Sequence, residues 1–123
     1  MPIPWAGDQP PFGFGPGHAQ PWIPQPLDWG RLTVEAQEKV GAESTLAFYR
    51  RALAARREHA LGSGDTVDVL TADAGVLALQ RGGLTVVLNT GPEAVELPAG
   101  EVLIASGEVT DGLLPPDTAV WLA

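Results

Sequence analysis

The distribution of proline constrains this 123-residue chain more than any other feature. Eight of its twelve prolines lie within residues 1–30. A proline fixes φ and has no amide donor, so this stretch cannot form a helix interior or a central strand. It also holds five of the eight aromatic residues, whereas disordered linkers are poor in aromatics. The proline-rich stretch therefore predicts an irregular loop that packs its rings against other structure.

A helical pattern follows the proline-rich stretch. Apolar side chains recur at intervals of three or four residues, and Ser44-Thr45 offers hydroxyl groups that can cap a first turn. The pattern predicts a helix over residues 43–60, with a shorter one over residues 33–39. Arginines in its second half suit the negative end of the helix dipole, and Gly62-Ser63-Gly64 predicts its end.

From residue 65 onward the hydrophobic period becomes two, which is typical of strands that bury one face. Two turn signals, Arg-Gly-Gly at 81–83 and Asn-Thr-Gly-Pro at 89–92, predict hairpins. No helix separates the strands, so they predict an antiparallel sheet or a small sandwich. The six predicted strands cover residues 67–70, 75–81, 84–90, 94–97, 101–105 and 119–122.

Charge divides the chain in the same way as the hydrophobic pattern. Residues 1–57 carry six basic and five acidic side chains, whereas residues 58–123 carry one basic and ten acidic. These changes predict two domains, residues 1–62 and 63–123. A single helix cannot close a core of its own, so the first half predicts an incomplete domain.

Composition excludes several classes of function. The formal net charge of -8 argues against electrostatic binding to nucleic acid or to an anionic membrane. No apolar run approaches the ~18 residues of a membrane span, and the first residues lack a secretory signal, so a cytoplasmic location is expected. The chain has no cysteine, and His18 and His59 form no metal motif. We therefore expect no metal and no cofactor.

Candidates for catalysis are few. Asp8 and Asp28 lie in the proline-rich stretch, but nothing sets their separation, and turn or capping roles suit both. The glycines at residues 12–17 follow no strand and include no lysine, so they do not form a phosphate loop. His18 beside them either touches a ligand or lies exposed on the loop. The aromatic rings either stack on sugars or anchor the loop to a neighbouring domain.

Three short motifs carry a family resemblance. Pro2-Ile3-Pro4-Trp5, followed by Gly13-Phe14 and then Pro21-Trp22, resembles a segment of the α-amylase superfamily of glycoside hydrolases, family 13. The similar branch holds the α-glucosidases and oligo-1,6-glucosidases. Actinobacterial α-glucosidases carry a similar Pro-Trp-(Ser/Ala)-Gly-Asp-x-Pro-Pro-Phe-Gly-Phe run, which matches residues 4–14. Residues 25–28 depart from the Val-Asn or Val-His sequence expected in that branch. A trehalose synthase-like member of the family therefore stays an alternative.

The resemblance extends over nearly the whole chain and implies a fold. Residues 45–58 are similar to the last barrel helix of the branch, and residues 65–123 resemble its C-terminal β-sandwich. The implied fold class is an α+β fragment. It consists of a proline- and aromatic-rich loop and one long helix, at the end of a TIM-type (β/α)8 barrel, followed by a small antiparallel β-sandwich.

The resemblance also implies a function. It implies that the chain is a C-terminal fragment of an α-glucosidase, or the product of a late start codon. Such a chain is not catalytic by itself. The family's catalytic aspartates and glutamate lie on earlier barrel strands, so no residue here takes those roles. The missing catalytic barrel is the implied partner, and an α-linked oligosaccharide binds only to the full-length enzyme. The implied residues at the rim of the substrate pocket are Trp5, Phe12, Phe14 and Trp22.

An alternative function stays open beside this one. The tryptophans would also suit a stand-alone module that binds carbohydrate or another protein. The two hypotheses differ in what precedes Met1 in the gene, because the fragment hypothesis expects an in-frame barrel with the catalytic motifs of the family there.

Overall fold

The computed structural model describes residues 3–16, 20–59, 66–73 and 75–123 of the chain. Their contacts group the chain into two units, Met1–Arg51 and Ala52–Ala123, and the division lies within a helix. The predicted domain boundary between residues 62 and 63 lies outside the described residues and stays a prediction.

The first unit contains helix α1, Val34–Val40, which begins where the pattern predicts a short helix. Thr33 is buried and caps it: its Oγ1 accepts a hydrogen bond from Ala36 N at 3.1 Å and donates one to Gly30 O at 3.0 Å. Gly41 ends the helix with a φ of 77°, a left-handed conformation that favours glycine. Short 3₁₀ turns, Leu27–Leu32 and Gly41–Glu43, flank α1 on either side.

Helix α2, Thr45–His59, corresponds to the helix predicted over residues 43–60. Ser44 caps it as the sequence predicts, because its buried Oγ accepts from Ala47 N at 3.1 Å. None of the side chains of α2 is buried. Among the helices of the described residues, none combines the length and the apolar character needed to cross a bilayer.

The second unit is antiparallel throughout its described strands, as the period of two predicts. The strands are β1 Asp68–Asp73, β2 Val76–Arg81, β3 Leu84–Asn89, β4 Val95–Glu96, β5 Val102–Ala105, β6 Leu113–Leu114 and β7 Thr118–Leu122. They pair in a five-stranded sheet of order β1-β2-β3-β7-β5 and in a two-stranded sheet of β4 and β6. After β3 the chain alternates between the sheets, and β7 returns to lie between β3 and β5.

One of the two predicted hairpins is confirmed and the other is wrong. The turn at residues 81–83 joins β2 to β3, with Arg81 opposite Leu84 and Gly82 at a φ of 59°. The turn at residues 89–92 instead leads out of the sheet, because β4 pairs with β6 and not with β3. The hydrophobic pattern does not predict strand β6, since two residues are too few to show an alternation.

The hydrophobic core of the second unit lies on one face of the large sheet. Val87 of β3 pairs with Ala78 of β2 and with Val120 of β7, and all three side chains are buried. Leu122 continues the same face, and Leu114 covers it from the small sheet. Residues 118, 120 and 122 are buried while the intervening ones are less so, which confirms the alternation read from the sequence.

The side chain of Asn89 connects the two sheets of this unit. It is 0% exposed, and its Nδ2 donates to Leu114 O at 3.0 Å and to Glu93 O at 2.8 Å. Its Oδ1 accepts from Gly91 N at 2.9 Å, which closes a turn over the end of β3. The side-chain amide of Asn89 therefore binds both the segment that follows β3 and strand β6 of the small sheet.

A glycine allows close packing beside this turn. Gly75 has a φ of 85°, and its carbonyl oxygen accepts from Thr90 N at 2.7 Å and from Thr90 Oγ1 at 2.9 Å. A Cβ at position 75 would lie 2.8 Å from Gly91 N, so a larger residue would force the two backbone segments apart.

We predict that Asn89→Ala destabilises the second unit far more than Thr90→Ala. The first change removes three hydrogen bonds of a buried side chain and leaves two backbone carbonyls and one amide without that partner, which should lower the free energy of unfolding by about 3 kcal/mol. The second removes one exposed hydrogen bond and should cost less than about 1 kcal/mol. Urea unfolding of the 123-residue chain, followed by amide exchange in β3 and β7, measures both. Equal losses in the two variants would contradict the role given to Asn89.

Candidate functional site

The aromatic loop, defined here as residues 3–16, folds back on itself in the first unit. The backbone N–H groups of Trp5 and Ala6 both donate to Phe12 O, at 2.7 and 3.0 Å. Gly13 follows at a φ of 72°, and a Cβ there would lie 3.2 Å from Ala6 N. The two arms of the loop therefore lie in backbone contact, and the positive φ and the small space for a Cβ both favour glycine at position 13.

Phe12 is the interior residue of the loop. Its side chain is 1% exposed, and its ring lies 6.5 Å from that of Trp29 between centroids, tilted by 40°. Its φ of 51° is a left-handed conformation that costs a bulky residue about 1–2 kcal/mol. Burial of the ring and the two hydrogen bonds accepted by its carbonyl offset that strain.

The aromatic loop is joined to the first turn of α1. Val34 N donates to Pro4 O at 3.3 Å, and Glu35 N donates to Trp5 O at 3.0 Å. The first N–H groups of a helix have no partner within the helix, so these loop carbonyls complete the hydrogen bonding of α1. In the opposite direction, Gly7 N donates to Glu35 Oε2 at 3.1 Å.

The Glu35 carboxylate also has a charged partner on its own helix. Lys39 Nζ lies 2.6 Å from Glu35 Oε1, one turn further along α1. The hydrogen bond from Lys39, then that from the Gly7 backbone, and then the positive charge of Lys39 lower the pKa of Glu35 below its ordinary value. The carboxylate is therefore ionised at neutral pH and accepts both hydrogen bonds as an anion.

The four residues that the resemblance places at a substrate pocket differ in their exposure to solvent. The side chains of Trp5 and Phe14 are 49% and 50% exposed, and that of Trp22 is 98% exposed. Backbone hydrogen bonds bring Trp5 beside the Phe12–Phe14 arm of the loop. The buried ring of Phe12 packs inside the unit, so within this chain it supports the loop and does not present a surface to a ligand.

The other candidate residues do not form a common site. Asp28 Oδ2 pairs with Arg31 Nη2 at 3.5 Å within a 3₁₀ turn, and Asp8 lies exposed in the aromatic loop. His18 lies outside the described residues, and His59 ends α2. Within the described ranges, no three acidic or histidine side chains are grouped so that they could hold a metal ion.

A groove of about 300 Å³ lies between the end of α1 and the start of α2. Arg50 Nη2 and Glu38 Oε1 form an ion pair at 3.0 Å beside it. Gln37 Oε1 accepts from Leu46 N at 3.4 Å, so this side chain serves the first turn of α2. These polar groups of the lining already have partners within the chain, which leaves the aromatic loop as the stronger candidate site.

Sequence reasoning missed Glu35, although a signal for it was present. An acidic residue in the first turn after a threonine N-cap is typical of a helix start, and the sequence predicts a helix there. The pattern does not show that a loop thirty residues earlier in the chain supplies the partners of that turn. That contact depends on tertiary structure.

Comparison with known proteins gives a family and a fold. The sequence model of a family described as "Domain of unknown function (DUF3459)" matches residues 40–121. A crystal structure named "Putative alpha Amylase from Salmonella typhimurium" is 24% identical and superposes with a TM-score of 0.54. The match covers 78% of this chain and 18% of that protein, so this chain spans under a fifth of its length. No curated protein matches the sequence.

We predict opposite roles for two neighbouring rings of the aromatic loop. Phe12→Ala should speed the exchange of the Trp5 and Ala6 amide protons at least about ten-fold, because both donate to the carbonyl of the residue that loses its buried ring. Phe14→Ala removes a half-exposed ring and should change that exchange less than about three-fold. Hydrogen exchange by NMR on the 123-residue chain compares the two, and equal acceleration would argue against Phe12 as the interior support.

Proposed function

Because this chain belongs to the DUF3459 family, whose model matches residues 40–121, we propose that it is the C-terminal part of an α-amylase-family glycoside hydrolase. Within that family we propose the α-glucosidase or oligo-1,6-glucosidase type. The observation that carries the proposal is the shared fold with part of a protein named as an alpha amylase, at a TM-score of 0.54 over 78% of this chain. The motifs of the aromatic loop support the same assignment.

The proposed partner is a catalytic (β/α)8 barrel of the same enzyme. In the Salmonella protein the matched fold is 18% of a much longer chain. Helix α2 supports a partner of this kind, because none of its side chains is buried and it leaves Tyr49 and Leu53 exposed. A barrel helix with this pattern would cover those apolar groups with neighbouring helices. Catalysis by two carboxylates would then belong to the barrel, with α2 at its end.

The proposed role of the aromatic loop is to line the entrance for an α-linked oligosaccharide. Segments that follow the strands of a (β/α)8 barrel emerge at the face where the active sites of that fold are built. Trp5 and Phe14 of the loop expose apolar ring faces, as does Trp22 further along the chain, and such faces stack on the rings of ligands. Phe12 would hold the loop from inside, so three of the four residues retain the lining role and one supports them.

We predict that residues 1–123 alone do not release glucose from maltose or from an aryl α-glucoside, because the proposal assigns the pair of catalytic carboxylates to the barrel. The gene upstream of Met1 should encode an in-frame barrel, and the longer protein should hydrolyse both compounds. A glucose assay on pure preparations of the two proteins measures the difference. Turnover by the short chain, lost on Asp8→Asn or Asp28→Asn, would overturn the proposal. An upstream stop codon would favour the stand-alone carbohydrate-binding module.

We predict that Phe14→Ala in the longer enzyme lowers kcat/KM for the aryl α-glucoside about five- to ten-fold. One ring stacked on a glucosyl unit contributes on the order of 1 kcal/mol beyond its area burial. Phe14→Tyr keeps a ring and should retain most of the activity, whereas Phe14→Leu keeps only apolar bulk and should resemble the alanine variant. A lower melting temperature with unchanged kinetics would show anchoring alone and would count against the lining role.

A further inference from the structure

Glu35 contacts the aromatic loop through both its backbone and its side chain. Its N–H donates to Trp5 O at 3.0 Å, and its Oε2 accepts from Gly7 N at 3.1 Å. A single hydrogen bond would let the loop segment pivot about one atom. Two bonds from one residue, to a carbonyl and to an amide two residues apart, set the direction of the Trp5–Gly7 segment as well as its position.

The two oxygens of the Glu35 carboxylate have different partners, Lys39 and Gly7. Lys39 Nζ lies 2.6 Å from Oε1, which leaves Oε2 for Gly7. The pair is spaced i, i+4 on α1, with the acidic residue first, which is the favourable order on a helix. The ammonium group therefore keeps the carboxylate turned so that one oxygen reaches the loop.

The backbone of Trp5 is held on both sides as a result. Its N–H donates to Phe12 O at 2.7 Å, while its carbonyl accepts from Glu35 N. Close backbone approach continues at Asp8, whose Cα would lie 3.2 Å from a Cβ at Gly30. The half-exposed ring of Trp5 thus extends from a backbone segment with little freedom to move.

We propose that Glu35 is a positioning residue that holds Trp5–Gly7 of the aromatic loop in the orientation in which the Trp5 ring meets a sugar. We call the hydrogen bonds of Glu35 to Trp5 O and from Gly7 N the clamp. The clamp follows from these contacts, whereas its effect on a sugar rests on the proposed function. Glu35 touches no substrate and acts through the loop.

The clamp should weaken as the carboxylate is protonated. The pKa of Glu35 is lowered in the folded chain, so its stabilising contribution is present above the ordinary carboxyl pKa. It is lost as the pH falls through the lowered value. Lys39 is the cation that faces the carboxylate from α1, and Asp8 is the charged neighbour of Gly7 in the loop. Arg31 and Asp28, in the preceding 3₁₀ turn, pair with each other.

The first test uses NMR on the 123-residue chain and follows the Gly7 amide between pH 7 and pH 2. We expect its resonance to titrate with an apparent pKa below that of an ordinary glutamate. In Glu35→Ala this titration should disappear and Gly7 exchange should become at least about ten-fold faster. Glu35→Gln, which keeps a neutral acceptor and the fold of the helix, should lose the titration with a smaller change in exchange. In Lys39→Ala the midpoint of the Gly7 titration should move to higher pH, because Lys39 lowers the pKa of Glu35.

Glu38→Ala is the matched control, because Glu38 lies on the same exposed helix and pairs with Arg50 rather than with the loop. It should leave both readouts at Gly7 unchanged. Asp8→Asn tests the neighbouring carboxylate and should leave the titration in place. A Gly7 titration that survives Glu35→Ala and disappears in Asp8→Asn would overturn the clamp.

The second test separates the positioning role from the proposed function. In the longer enzyme, Glu35→Ala should raise KM for the aryl α-glucoside about three- to ten-fold while kcat changes less than two-fold, and Glu38→Ala should change neither. An unchanged KM in Glu35→Ala, together with a loss in Phe14→Ala, would overturn the positioning role alone. Unchanged kinetics in both variants, with the Gly7 titration as expected, would overturn the lining role proposed for the aromatic loop and leave the hydrogen bonds of Glu35 to the loop in place.

Discussion

Every backbone group that leaves water needs a hydrogen-bond partner, and a proline-rich segment begins with too few donors. Its carbonyl groups remain, and the start of a helix has the opposite imbalance, because its first amides lack acceptors. In the first unit these two imbalances meet. Pro4 and Trp5 supply the carbonyls, and Val34 and Glu35 supply the amides. These two hydrogen bonds fix the Pro4–Trp5 backbone of the aromatic loop against the first turn of α1.

The second unit solves the same problem with a side chain. Its sheet leaves backbone groups unpaired where the chain turns away after β3, and the buried amide of Asn89 satisfies Gly91, Glu93 and Leu114 together. An amide side chain suits this position because it is both donor and acceptor. The alternating apolar residues then form one core face, which Leu114 closes from the small sheet. The small sheet has only two residues in each strand, and the side chain of Asn89 adds a hydrogen bond that joins it to the large sheet.

The family and the fold give this arrangement its functional setting. The chain belongs to the DUF3459 family and shares its fold with part of a larger protein named as an alpha amylase. The family match begins at residue 40, so it leaves the aromatic loop to be understood from its own structure. That structure is a set of exposed rings on a backbone held by Phe12 from inside and by Glu35 from α1. A fixed base lowers the entropy that a binding surface loses when a ligand arrives, which suits the lining role proposed for the loop.

Features that depend on neighbouring residues along the chain can be predicted from the amino-acid sequence. These are the short helix predicted over residues 33–39, the cap of α2 at Ser44, the hairpin at residues 81–83 and the alternation along β7. Hydrophobic period, caps and turn residues report local conformation, so they predict such elements well. Long-range packing sets three further features: β4 pairs with β6, Phe12 is buried at a positive φ, and Glu35 holds the loop. Each of these joins residues distant in the chain, or strands of two residues, and no local pattern encodes a partner that only folding brings near.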